Sequence, residues 1–104
     1  MAELKELQAE ISEIRKQRGF VTDPIKIQLL LTEEVGEVSA ELKRLWSKNY
    51  DEFSSERIAN EISDVFVLLS ALASEFDIDL ESAVRKKFMK SDSKRAWASA
   101  EADS

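Results

Sequence analysis

The sequence predicts an all-α protein, a compact bundle of four to five helices forming one domain over residues 1–104. Three observations carry this expectation. Apolar residues recur at spacings of three or four along most of the chain, the repeat of helices with one buried face. Residues that start and stop helices punctuate that repeat. With 43% hydrophobic and 35% charged residues in 104 positions, the chain is too apolar for disorder and too charged for a membrane protein. A chain this short buries only a modest core alone, so a homo-oligomer is expected.

The elements follow in order. Residues 3–18 place Leu4, Leu7, Ile11 and Ile14 on one stripe of an amphipathic helix, and Gly19 is a suitable stop. Asp23 and Pro24 read as an N-cap followed by proline in the first turn. The second helix runs from Pro24 to about Ser47 through Ile27, Leu30, Leu31, Val35, Val38, Leu42 and Leu45. The stretch SKNYDEFSS is rich in turn formers and reads as a loop. A third helix begins near Ser55, with Glu56 favourable in its first turn, and carries Ile58, Ile62, Val65, Phe66, Leu68, Leu69, Leu72 and Phe76. Asp77-Ile78-Asp79 breaks the pattern, and Asp79 caps a fourth helix from Leu80 to about Lys90. The alanine- and serine-rich tail reads as partly helical or frayed.

Absences narrow the chemistry. With no cysteine and no histidine, there is no thiolate, no imidazole base and no zinc or iron site of the usual kind. Any metal must be bound by oxygen, which points to magnesium, manganese or calcium. The only glycines, Gly19 and Gly36, exclude a glycine-rich phosphate loop. A net charge of −6 argues against duplex nucleic acid as a partner. No apolar run approaches a bilayer span, and MAELKELQAEISEIRKQRG lacks the apolar centre of a signal peptide. No membrane association and a cytoplasmic location are therefore expected.

The informative feature is a set of acids on faces that should pack inward. At about 100° per residue, Ile27, Leu30, Glu34, Glu37 and Glu41 share one stripe of the second helix. On the third helix, Glu61 and Asp64 share a stripe with Ile58, Val65, Leu68 and Leu72. Like charges gathered between packed helices must raise their pKa values, reach water, pair with cations or bind metal. Lys43, Arg44 and Arg57 offer the ordinary alternative of surface ion pairs. An open cluster of hard oxygen ligands suits magnesium, which keeps waters and accepts substrate phosphates. Gly36, inside a helix, costs about 1 kcal/mol relative to alanine, and close approach of another helix would explain it. A second feature is cationic: Arg85, Lys86, Lys87, Lys90, Lys94 and Arg95 stand against one acid, Asp92, and suit polyphosphate. Trp46, Tyr50, Phe53 and Trp97 are candidates for stacking on a base or for core and interface.

Glu33-Glu34-Val35-Gly36-Glu37 resembles the E-E-x-x-E element of the MazG-like nucleoside triphosphate pyrophosphohydrolases, and Glu61-Ile62-Ser63-Asp64 resembles their E-x-x-D element. The surrounding LLLTEEVGEVSAEL and NEISDVFVLLSALASEFDIDLESAVRKKF are similar too, and the likeness covers roughly residues 20–95. The resemblance implies an all-α fold with the metal site between the second and third helices, where Glu34, Glu37, Glu61 and Asp64 bind Mg2+, with Mn2+ as a possible substitute. It implies hydrolysis of the α–β phosphoanhydride bond of nucleoside triphosphates, releasing monophosphate and pyrophosphate. Glu33, about 100° around the helix from Glu34, becomes a candidate for the catalytic base that positions or deprotonates the water. The family's K-x-x-x-N-x-x-R pattern is followed only approximately: Lys87 matches, Ser91 replaces asparagine, and Lys94 and Arg95 stand near the last position. Lys87, Lys90, Lys94 and Arg95 are the resulting phosphate-binding candidates. A dimer or tetramer, with sites completed by a neighbouring subunit, is also implied. Alternatives are a relative acting on dUTP, dCTP or phosphoribosyl-ATP, or a non-catalytic helical interaction protein.

Overall fold

The computed structural model describes residues 3–47, 49 and 52–95. Among these residues four α-helices follow in chain order: α1 (Glu3–Gln17), α2 (Pro24–Trp46), α3 (Ser55–Glu75) and α4 (Leu80–Val84). A π-helical segment, Arg85–Ser91, continues directly from α4. There is no strand among the described residues. The all-α bundle is as the periodicity predicts.

Local chemistry sets most of the boundaries. After α1, Gly19 adopts φ +71°, a left-handed conformation that glycine reaches without steric cost. There Phe20 N–H donates to the Arg15 carbonyl at 3.0 Å, closing the helix end. Arg15 also lies 5.2 Å from the centre of the Phe20 ring and donates to the Val21 carbonyl at 2.8 Å, bracing the turn. Asp23 caps α2 by accepting from Ile25 N–H at 2.9 Å, with Pro24 at the start. Ser54 caps α3 by accepting from Arg57 N–H at 3.3 Å. At the far end of α3, Asp77 takes φ +55° and Ile78 N–H returns to the Ala73 carbonyl at 2.9 Å. Asp79 then caps α4 through Ser82 N–H and Oγ.

The fourth helix differs from expectation. It is α-helical for five residues only, and Arg85–Ser91 widens into π geometry. Ser91 Oγ donates to the Lys86 carbonyl at 3.1 Å, a partner five residues back that matches the wider turn. The tail from residue 96 onward, with Trp97, lies outside the described residues.

The principal contact is α2 against α3, with α1 laid on α3 and α4 on α1. Ile27, Leu68 and Ala71 form the buried centre, and Val21, Leu31 and Leu72 pack against them. One polar side chain joins three elements. Gln8, 6% exposed, donates to Ser74 Oγ at 3.3 Å and to the Ile78 carbonyl at 2.7 Å, and accepts from Leu80 N–H at 3.1 Å. It thereby satisfies the corner between α3 and α4 from α1. Leu30, expected to face inward, is 40% exposed, and the neighbouring Leu31 packs on the core instead.

Candidate metal centre

The site grows from the register of α2 against α3. Near the end of α2, Glu41 Oε1 accepts from Arg57 Nε at 3.2 Å, at the start of α3. The two helices are therefore antiparallel. One turn back along α2 and one turn forward along α3, Glu37 falls opposite Glu61. A further turn brings Glu34 opposite Asp64. The i, i+3 and i, i+4 spacings keep every member on the facing stripe.

The side chains agree with this register. Glu34, Glu61 and Asp64 each present a carboxylate oxygen, all within 4.8 Å of one another. Glu34 and Glu61 are half-buried, and Asp64 is exposed. Glu37 is exposed and stands outside this tight trio, but its charge acts on both Glu34 and Glu61. Glu33 is exposed at the edge, and its charge acts on Glu34.

The electrostatics are those of crowded acids. Burial pushes the Glu34 carboxyl above its ordinary value of 4.5, and the charges of Asp64, Glu37 and Glu33 push it further. Burial likewise raises Glu61, followed by repulsion from Asp64, Glu34, Glu37 and Glu41. Two of the cations that offer ordinary ion pairs lie against a different acid, Glu41: Arg44 at 3.3 Å and Arg57 at 3.2 Å. Three converging carboxylates with access to water suit a hard divalent cation bound by oxygen. Such an ion offsets the repulsion that raises both pKa values.

The basic segment is not brought to this trio within the chain. The π-helical segment packs chiefly on α4, and α4 on α1, without substantial packing against α2 or α3. Lys87 Nζ sits 2.7 Å from both carboxylate oxygens of Asp92, and Arg95 lies 3.5 Å from the same group. Lys90 and Lys94 are exposed. Among the aromatic candidates, Trp46 is 76% exposed at the end of α2 and Phe53 is half-buried just before α3, whereas Tyr50 and Trp97 lie outside the described residues.

Gly36 does not meet the expectation of a close helix: a β-carbon placed there finds nothing within 4 Å. Its neighbours in this chain leave the space open, because the facing stripe of α2 runs through Glu34, Glu37 and Glu41 and Gly36 lies off it. Sequence reasoning also overlooked how firmly Arg57 is held. It donates through Nη2 to the Glu52 carbonyl at 2.6 Å while Nε binds Glu41. The available signal was its position four residues before Glu61, on the acids' own stripe.

Comparison with known proteins gives one finding: residues 23–97 match the MazG nucleotide pyrophosphohydrolase domain. No curated protein and no solved structure gives a match. The matched span begins at the cap of α2, contains the whole carboxylate ladder and ends beyond the π-helical segment. Covering well over half of the chain, it shows that this protein belongs to the MazG nucleotide pyrophosphohydrolase family.

Proposed function

We propose that the protein hydrolyses nucleoside triphosphates at the α–β phosphoanhydride bond, releasing a nucleoside monophosphate and pyrophosphate, with Mg2+ as cofactor and Mn2+ as a substitute. The observation that carries this reading is the convergence of Glu34, Glu61 and Asp64 within 4.8 Å inside a family of nucleotide pyrophosphohydrolases. These three residues would hold the ion, and Glu37, one turn along α2, would join them when phosphate and metal draw its exposed carboxylate inward. A bound divalent ion supplies neutralisation of phosphate charge and polarisation of the attacked phosphorus. Glu33, at the edge of the stripe, is suited to orient a water and accept its proton without occupying the ligand positions. A raised carboxyl pKa in its neighbour Glu34 keeps that ligand sensitive to protonation until a cation is present.

Lys87, Lys90, Lys94 and Arg95 enter the same proposal as phosphate contacts reaching a neighbouring subunit's carboxylates. The support is the apolar surface of the single chain: Ile25, Leu45, Ile62 and Phe88 are each more than half exposed. Surface of this kind is normally covered by a partner, and a dimer or tetramer of this chain would cover it. No described helix is long and apolar enough to cross a membrane, and a cytoplasmic site of action belongs to the proposal.

Purified protein incubated with each nucleoside triphosphate and magnesium, with monophosphate and pyrophosphate detected, tests the reaction. Glu37→Gln and Asp64→Asn should abolish turnover while the chain stays helical. Orthophosphate without pyrophosphate would mean attack on a different bond. Turnover confined to deoxyuridine or deoxycytidine triphosphate, or to phosphoribosyl-ATP, would place the protein among those relatives. No turnover of any of them with either metal would favour an interaction protein.

A further inference from the structure

Arg57 opens the face of α3 that carries Glu61 and Asp64. The three residues lie within about 60° on one stripe, with Arg57 about 6 Å along the axis from Glu61 and about 10 Å from Asp64. Its guanidinium is fixed at two points, by Glu41 Oε1 at 3.2 Å and by the Glu52 carbonyl at 2.6 Å. These bonds use two of the five N–H donors that arginine offers, and the side chain remains 47% exposed. It thus retains donors at the end of the carboxylate ladder.

A triphosphate carries more negative charge than one divalent ion offsets. Along the groove between α2 and α3 the residues around the carboxylate trio are acids, Glu33, Glu34, Glu37, Glu61 and Asp64, and the second arginine on Glu41, Arg44, is less exposed than Arg57, 24% against 47%. The basic residues of the π-helical segment pack elsewhere in the same chain. Arg57 is placed differently, on the acids' own stripe and about one phosphate chain's length from them. Guanidinium matches phosphate with paired donors. We propose that Arg57 contacts the terminal phosphates of the substrate, the part that leaves as pyrophosphate, with Glu41 holding the guanidinium in place. This rests on the pyrophosphohydrolase reading above. Neutralising the departing oxygens there favours bond cleavage as well as binding.

Calorimetric titration of the full chain with magnesium pyrophosphate, beside turnover assays, tests the contact. Arg57→Gln should weaken pyrophosphate binding about tenfold or more, and Arg57→Lys should lie between. Manganese binding without phosphate should be no weaker in Arg57→Gln, since a cation has been removed. The backbone N–H of residue 57 still reaches the Ser54 cap, so the helix start is preserved. Glu41→Gln separates contact from charge competition: its amide oxygen can still accept from Arg57 Nε and keep the guanidinium in place, while a competing anion is removed, so pyrophosphate should bind as in the wild type or tighter. Glu41→Gln weakened as much as Arg57→Gln, or pyrophosphate binding unchanged in Arg57→Gln, overturns the proposal even if nucleotides are turned over. Pyrophosphate bound through Arg57 without turnover of any nucleotide supports the contact and rejects the reaction. Neither binding nor turnover rejects both.

Discussion

Replacing Glu34 by glutamine removes one charge from three acids whose oxygens lie within 4.8 Å, and it should move stability in opposite directions with and without metal. In the metal-free protein, two unit charges about 5 Å apart cost on the order of 1 kcal/mol even at the dielectric of water. Relief of the Glu34–Asp64 repulsion should therefore stabilise the variant by about that amount. A domain of this length loses about 0.2 kcal/mol per degree near its midpoint, so metal-free melting should rise by about 4–5 °C. With metal the order inverts. Manganese or magnesium at a hundredfold excess over Kd adds about 2.7 kcal/mol to a protein that binds it only when folded. For the wild type that is a rise of about 12 °C, and Glu34→Gln should lose most of it. Melting followed by circular dichroism at neutral pH and fixed protein concentration reads both effects. Wild-type melting indifferent to both metals, or metal-free Glu34→Gln melting well below the wild type, would refute the reasoning.

Other perturbations test separate parts of the structure. Gln8→Ala strips partners from the Ile78 carbonyl and Leu80 N–H and should cost about 1–3 kcal/mol, read as a lower urea midpoint. Gly36→Ala should stabilise the chain by about 1 kcal/mol, because α2 gains helix propensity into open space; a loss of stability would mean that a partner occupies that space. Glu34 and Glu61 are both raised above 4.5, so the folded chain binds more protons than the unfolded one between that value and their own. Metal-free stability should therefore fall as pH rises through that window, while the stabilisation by manganese should grow through it. Melting curves at stepped pH, with and without manganese, show whether the two trends run in opposite directions.

What the sequence revealed of this molecule follows the range over which each feature is determined. Asp23-Pro24, Gly19 and Asp79 act within a few residues, and each terminates or caps a helix where its chemistry requires. The acids of the site were visible for the same reason: helix geometry alone places Glu61 and Asp64 on one face. Their meeting with Glu34 needed only that α2 and α3 pair along those stripes. The clasp of Arg57 on Glu41 was less visible, because it depends on the axial register between two helices, which packing decides. The π-helical turn is not legible in the sequence, because a wider repeat departs too little from the α period over Arg85–Ser91 to change the apolar pattern. The apolar repeat turns both Leu30 and Leu31 inward, yet the thin centre around Ile27 receives only Leu31.

The Gln8 side chain, which joins α1 to the α3–α4 corner, also bears on the order in which the protein assembles. The Glu41–Arg57 bond spans 16 positions of chain, whereas the bonds of Gln8 span 66, 70 and 72. Short spans close quickly and long ones slowly, since the entropy of closing a loop rises with its length. The two helices that bear the carboxylates can therefore find each other as a hairpin of neighbours, while α1 arrives from the opposite end of the sequence. The carboxylate cluster belongs to the part of the molecule that needs least of the chain to form. Opening of α1 during a fluctuation would release the corner at Ile78 and leave the acids still facing one another.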